Sequence, residues 1–172
     1  MKSFAQILCK PILIAVIAWA ALFASGIEQP EMRVGPTASV GPRVLEDQTE
    51  KVVIRDYKEA WQGLSNALAE NRTDLLDADF VGIAKEKLIN TIREQQKLGI
   101  QTRYTERSHD VKLVFYSPEG LSIQLLDTVE YDVQITDHEK AQAVQHLRTR
   151  YVAVLTPTEV RWKVRIFQGA PE

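Results

Sequence analysis

Apolar residues along this chain follow three regimes: an unbroken run, then a helical period, then a two-residue alternation. The run is Pro11–Ile27, 17 residues without a charge, preceded by Lys2 and Lys10 and with no acid before Glu28. As a helix it covers roughly 25 Å at about 1.5 Å per residue, and membrane-spanning helices begin at about 17 residues. A basic start ahead of an apolar run leaves the N-terminus in the cytoplasm and exports the rest of the chain. Ala24-Ser25-Gly26 also places small residues where a signal peptidase cuts. Two readings of residues 1–27 therefore stand, a membrane anchor spanning with 11–27 or a cleaved signal leaving Ile27 first. Both put the remainder in an extracytoplasmic setting, periplasmic or cell-surface.

Residues 28–43 break all periodicity with Pro30, Pro36 and Pro42 and the echo Val34-Gly35-Pro36, Val40-Gly41-Pro42. Proline at this spacing blocks helix and central strand alike, so an extended Pro/Gly spacer is expected. At about 3.1 Å per residue it would hold a domain up to about 50 Å from a bilayer, which favours the tethered reading over the secreted one.

One domain is expected over residues 44–172. Val53, Tyr57, Ala60, Trp61, Leu64, Ala67 and Leu68 recur at i, i+4, i+7, i+8, i+11, i+14 and i+15, the stripe of an amphipathic helix that ends near Asn71. Asp74–Phe80 reads as a short helical turn. A second helix carries Ile83, Leu88, Ile89, Ile92 and Leu98 as its apolar residues and stops at Gly99.

Alternation then takes over. Strands are expected at about Arg107–Tyr116, Leu121–Thr136, Val144–Leu155 and Val160–Phe167, with turns at Ser117–Gly120 and Thr156–Glu159. Leu121, Ile123, Leu125, Val129, Tyr131, Val133 and Ile135 share one face, as do Val160, Trp162, Val164 and Ile166. The opposite face carries Arg148, Arg150, Arg161, Lys163 and Arg165 together with Glu130 and Asp132, a composition suited to cross-strand ion pairs. Counting in twos places Asp127 on the apolar face, where a carboxylate costs several kcal/mol unless it is paired or wetted. Asp127 is the first candidate for a pocket group. Helices first and sheet afterwards give the α+β class.

Charge and composition narrow the role. The chain holds 21 Lys and Arg against 23 Asp and Glu; without residues 1–26, which carry two lysines and no acid, 19 basic face 23 acidic residues. That mildly acidic balance argues against a nucleic-acid binder. The single cysteine, Cys9, precedes the apolar run, so the exported part has no disulfide. His109, His138 and His146 show neither helical spacing nor cysteine partners, so no metal site is expected. No phosphate-binding or dinucleotide loop implies a cofactor, and no Gly-x-Ser-x-Gly elbow supports a triad. Asn71-Arg72-Thr73 matches the glycosylation triplet, a common chance pattern.

The helix bearing Tyr57 and Trp61, the second helix stopping at Gly99 and the closing strand Val160-Arg-Trp-Lys-Val-Arg-Ile-Phe167 resemble the NTF2-like, or SnoaL-like, superfamily over about Val44–Phe167. The resemblance implies a cone, with helices packed into the concave side of a curved antiparallel sheet and a pocket between them. It also implies a choice of roles. Some members are isomerases, dehydratases or cyclases, and others are binding or assembly modules. An isomerase-like site needs a carboxylate base and a hydroxyl donor in an apolar pocket. Asp127 and Tyr57 would supply them, within a pocket lined by Tyr57, Trp61, Tyr104, Asp127, Tyr131 and Trp162. The alternation shows no second inward acid, which favours binding or assembly over catalysis. The expected partners are the membrane through residues 11–27, a second copy or another protein through the sheet, and a small apolar ligand in the pocket.

Overall fold

The computed structural model describes residues 30–35, 43–138 and 140–170. The apolar run, Cys9, the signal-peptidase site and most of the Pro/Gly segment lie outside the described residues. Among those described, no helix is long and apolar enough to cross a membrane.

Strand β1 (Glu31–Val34) comes first, followed by helix α1 (Asp47–Glu70), a single 3-10 turn (Asp74–Leu76) and helix α2 (Gly82–Leu98). The sheet follows as β2 (Ile100–Tyr116), β3 (Ile123–Asp137), β4 (Lys140–Ala141), β5 (Gln145–Pro157) and β6 (Trp162–Ala170). Its order is β1-β2-β3-β5-β6, with the two-residue β4 also on β3. All pairings are antiparallel except β1 on β2, which is parallel. The sheet is therefore mixed rather than wholly antiparallel. Glu31–Val34 falls in the segment expected to be a spacer. Proline bars a central strand but not an edge strand, and β1 is an edge.

Helix α1 buries the predicted stripe in full, from Val53 to Leu68. Asn71 ends it in the left-handed region (φ 53°), its backbone N–H donating to the Ala67 carbonyl. The Asn71 side-chain amide donates to the Ile100 carbonyl at 2.7 Å and its Oδ1 accepts from Gln95, so this residue joins both helices to β2. Gln95 is itself buried, and its Oε1 accepts from the Thr102 hydroxyl. Helix α2 differs from expectation. Ile83 and Leu98 are 56% and 62% exposed, while Ala84, Ile92 and Gln95 face inward. The inward set lies at i, i+8 and i+11; Ile83, one residue before Ala84, points away from it, and Leu98 is the last residue of the helix. Gly99 stops the helix as expected, at φ 67°.

Strand β2 begins seven residues earlier than the alternation indicates, because its first half is polar and partly exposed. Two register shifts bend it, between Glu106 and Ser108 and between Leu113 and Phe115. The last hairpin also differs. Its turn is Thr158–Arg161, closed by the Thr158 N–H donating to the Arg161 carbonyl, so Leu155 pairs with Val164 rather than with Val160. Val160 stands at the tip, 84% exposed. A further shift leaves Arg165 unpaired, since Leu155 pairs with Val164 and Val154 with Ile166. One extra residue reverses the parity of everything beyond it, so Phe167 faces the core and Ile166 faces out. On the outer face Arg148 pairs with Glu130 at 3.9 Å as expected, whereas Asp132 pairs with Arg107 at 2.6 Å and His146 at 3.0 Å instead of with an arginine of β5 or β6. Arg161 leaves that face and bonds Asp79 and Glu59 in the helical layer.

Candidate functional site

Asp127 sits in the first half of β3, opposite Val111 on β2 and Tyr151 on β5, on the face that the helices cover. It is completely buried. Its Oδ2 accepts from the Tyr57 hydroxyl of α1 at 3.0 Å and from His109 Nδ1 at 2.8 Å. His109 pairs with Val129, two residues along β3 from Asp127, so its ring reaches the carboxylate on the diagonal. The other ring nitrogen, Nε2, lies 3.2 Å from Glu106 Oε2. Tyr57, Asp127, His109 and Glu106 thus form one chain of four polar side chains inside the cone.

The register shift at Arg107 makes that chain possible. Regular alternation from His109 would turn Arg107 inward and Glu106 outward. With Arg107 unpaired, Glu106 comes opposite Tyr131 and His109 opposite Val129, both inward positions. The Glu106 side chain is only 7% exposed. An acid and a histidine three residues apart then share one face of a strand.

Both acceptors around His109 are carboxylate oxygens, so a doubly protonated ring satisfies both contacts and a neutral ring satisfies only one. Burial works against that charge, but the hydrogen bonds that the ring donates to Asp127 and Glu106 outweigh it and push the His109 pKa up to about 9. The imidazolium is therefore the form present at neutral pH. Burial, with the Asp127 charge next in weight, holds the Tyr57 phenol well above its ordinary range, so Tyr57 remains a donor. Two buried polar atoms, Asp127 Oδ1 and Trp61 Nε1, have no hydrogen-bond partner among the described residues.

Aromatic rings fill the space around this chain. Trp61 meets His109 edge-on at 5.2 Å, Tyr151 at 5.1 Å and Phe167 at 5.2 Å, and lies 6.4 Å from Tyr131. Tyr151 stacks on Phe167 at 4.8 Å. The Tyr131 hydroxyl bonds those of Tyr151 at 3.0 Å and Thr149 at 3.2 Å, and Tyr104 packs against Tyr131 at 5.3 Å, half-buried.

Of the six residues expected to line a pocket, Tyr57, Trp61, Asp127 and Tyr131 converge, and Tyr104 borders them. Trp162 does not. It pairs with Pro157, six residues along β5 from Tyr151, or about 20 Å at ~3.3 Å per residue. Its backbone N–H donates to the buried Asp56 carboxylate, and Phe167 occupies the place against Trp61. His109 and Glu106 were not anticipated, nor was a second inward acid. His109 carried a signal, sharing parity with Val111 and Leu113; Glu106 carried none, because an unpaired residue is invisible in the strand's own pattern.

A carboxylate with a phenol donor can exchange a proton with a substrate only where the substrate can reach it. Two surface clefts, about 520 and 470 Å³, open elsewhere. The first runs between Val34 and the α1 stripe Asp47, Glu50, Lys51, Ile54, Arg55 and Lys58; the second lies beside the β5–β6 turn. Neither is lined by Tyr57, Trp61, His109 or Asp127.

No protein-family model and no curated protein matches this sequence. Solved structures do match the fold. The intermembrane space region of the chloroplast protein ARC6 aligns with a TM-score of 0.63 at 16% identity, over 76% of this chain and 100% of that one. A putative scytalone dehydratase from Novosphingobium aromaticivorans aligns at 0.50 and 13%, over 73% and 89%. A protein from Catenulispora acidiphila aligns at 0.51 and 11%, over 72% and 94%.

Proposed function

We propose that this chain, an NTF2-like domain, is an exported and membrane-tethered binding module that docks a partner on the outer face of its sheet. One observation carries the reading: the interior of the cone is filled by the chain's own side chains. Trp61 is ringed by His109, Tyr131, Tyr151 and Phe167, and the polar chain beside it pairs with itself.

The outer face supplies the docking surface. Phe115, Leu126, Val152, Val154 and Ile166 stand on adjacent strands there, as the pairings Leu126 with Val152, Val154 with Ile166 and Phe115 with Gln124 require. Phe115 and Ile166 are exposed, and the other three are half-buried. Lys112, Asp110 and Arg150 flank this patch, the apolar centre and polar rim that protein interfaces share. Export and tethering rest on residues 1–27. The likeness to a region of an intermembrane space is compatible with an extracytoplasmic setting.

Crosslinking of the full chain in its membrane, with light scattering in detergent, tests the reading. The wild type should give a defined dimer or a captured partner. Leu126→Lys and Val154→Glu should abolish it while leaving thermal stability nearly unchanged. A single copy at micromolar concentration with no crosslinked partner would end the proposal.

A second reading, a small-ligand or isomerase-like site using Asp127 and Tyr57, has one observation in its favour. Asp127 Oδ1 is buried with no partner among the described residues, as it would be if a ligand or water completed it. It predicts that small apolar ketones or phenols perturb Trp61 fluorescence saturably, and that Asp127→Asn removes the response.

A further inference from the structure

Resting on the tethered reading, we infer that the domain lies on its side against the phospholipid headgroups, with the β1 edge and the cleft between β1 and α1 facing the bilayer. Only Glu28, Gln29 and Pro30 separate the end of the apolar run from Glu31, the first residue of the sheet. A chain from Ile27 to Glu31 spans at most about 14 Å. The Pro/Gly segment therefore cannot act as a long arm, because the chain is already in the sheet before most of it.

Such a short tether restricts orientation. Glu31 pairs with Ser108, which lies eight residues from either end of β2. Each half of that strand is about 26 Å long at ~3.3 Å per residue. With the strands upright, whichever end pointed down would pass about 12 Å beyond the membrane surface that the tether can reach. One end carries Asp137 and His138; the other carries Ser117 and Glu119. Charged groups are expensive at that depth, so the strands run along the bilayer plane.

The edge is the side that suits contact. Among the described residues nothing pairs with the outer side of β1, and an unpaired edge is a hazard unless something covers it. Headgroup phosphates and their water can take its backbone N–H groups. Val34 is exposed beside it, as is Val44 ahead of α1. In the adjoining cleft Val34 and Ile54 are apolar, and Lys51, Arg55 and Lys58 lie on one stripe of α1, with Asp47 and Glu50 beside them and Arg55 bonded to Asp56 at 2.7 Å. That combination places aliphatic stems low and cationic heads at phosphate level. With the edge down, the outer sheet face stays free for the partner proposed above.

The test uses the full chain with Cys9→Ser, reconstituted into phosphatidylcholine vesicles containing phosphatidylglycerol and a headgroup-attached quencher. Single fluorophores are placed by Lys51→Cys in the cleft, Gln168→Cys on the outer face and Val160→Cys at the far hairpin tip. Lys51→Cys should be quenched several-fold more than the other two. A flexible insert after Gln29 should erase that difference without releasing the protein. Equal quenching, or the strongest quenching at Gln168→Cys, overturns the inference and leaves tethering intact. Release of the protein by alkaline carbonate removes the tether itself, and the inference with it.

Discussion

Raising the pH from about 6 to about 9.5 should remove roughly 3 kcal/mol from the stability of this domain, through His109 alone. The unfolded histidine titrates at 6.5 and the folded one at about 9. Between those values the folded state holds a proton that the unfolded state releases. The stabilising contribution is therefore complete below 6.5 and is lost as pH rises through 9. At about 1.4 kcal/mol per unit of separation, the contribution reaches about 3 kcal/mol, a large share of the 5–15 kcal/mol or so typical of a domain. The groups facing the ring are Asp127 at Nδ1, Glu106 at Nε2 and Trp61 at its edge. Urea unfolding of the full chain in mild detergent, followed by tryptophan fluorescence at half-unit pH steps, gives the curve. NMR of the His109 ring gives the pKa directly. Stability that is flat or rising across this window, with His109 titrating near its ordinary value, would refute the buried imidazolium.

The other predictions concern the same interior. Glu106→Gln keeps the contact but removes one charge, so His109 should titrate lower, with a loss of about 1–3 kcal/mol in the same urea assay. Above about pH 10 a second decline should set in: burial raises Tyr57 and Tyr151 in the fold, so unfolded tyrosines ionise first. Tyrosinate absorbance should accordingly lag until the domain unfolds. Trp61→Ala should cost about 3–5 kcal/mol by thermal or urea unfolding, and Trp162→Ala, at a half-buried edge position, clearly less. Gly99→Ala should cost about 1–2 kcal/mol. Its φ of 67° disfavours a side chain, and a Cβ there would lie 3.0 Å from His138 Nε2.

The features legible in residue order alone are local. A helix repeats every 3.6 residues and a strand every two, so the α1 stripe, the inward face of β3 and the burial of Asp127 could be counted along the chain. Left-handed stops at Asn71 and Gly99 were legible for the same reason, since each depends on one residue's own backbone freedom. The features that needed the folded chain are relational. His109 meets Asp127 because Val111, and no other residue, stands opposite Asp127 on the neighbouring strand. Glu106 turns inward, and Phe167 instead of Ile166 stands beside Trp61, because Arg107 and Arg165 are left out of their ladders. Likewise β1 is a strand only because an edge of β2 was there to receive it. Whether a residue is passed over in pairing depends on the curvature the whole sheet needs to wrap the helices, and that energy is shared among strands far apart in the chain.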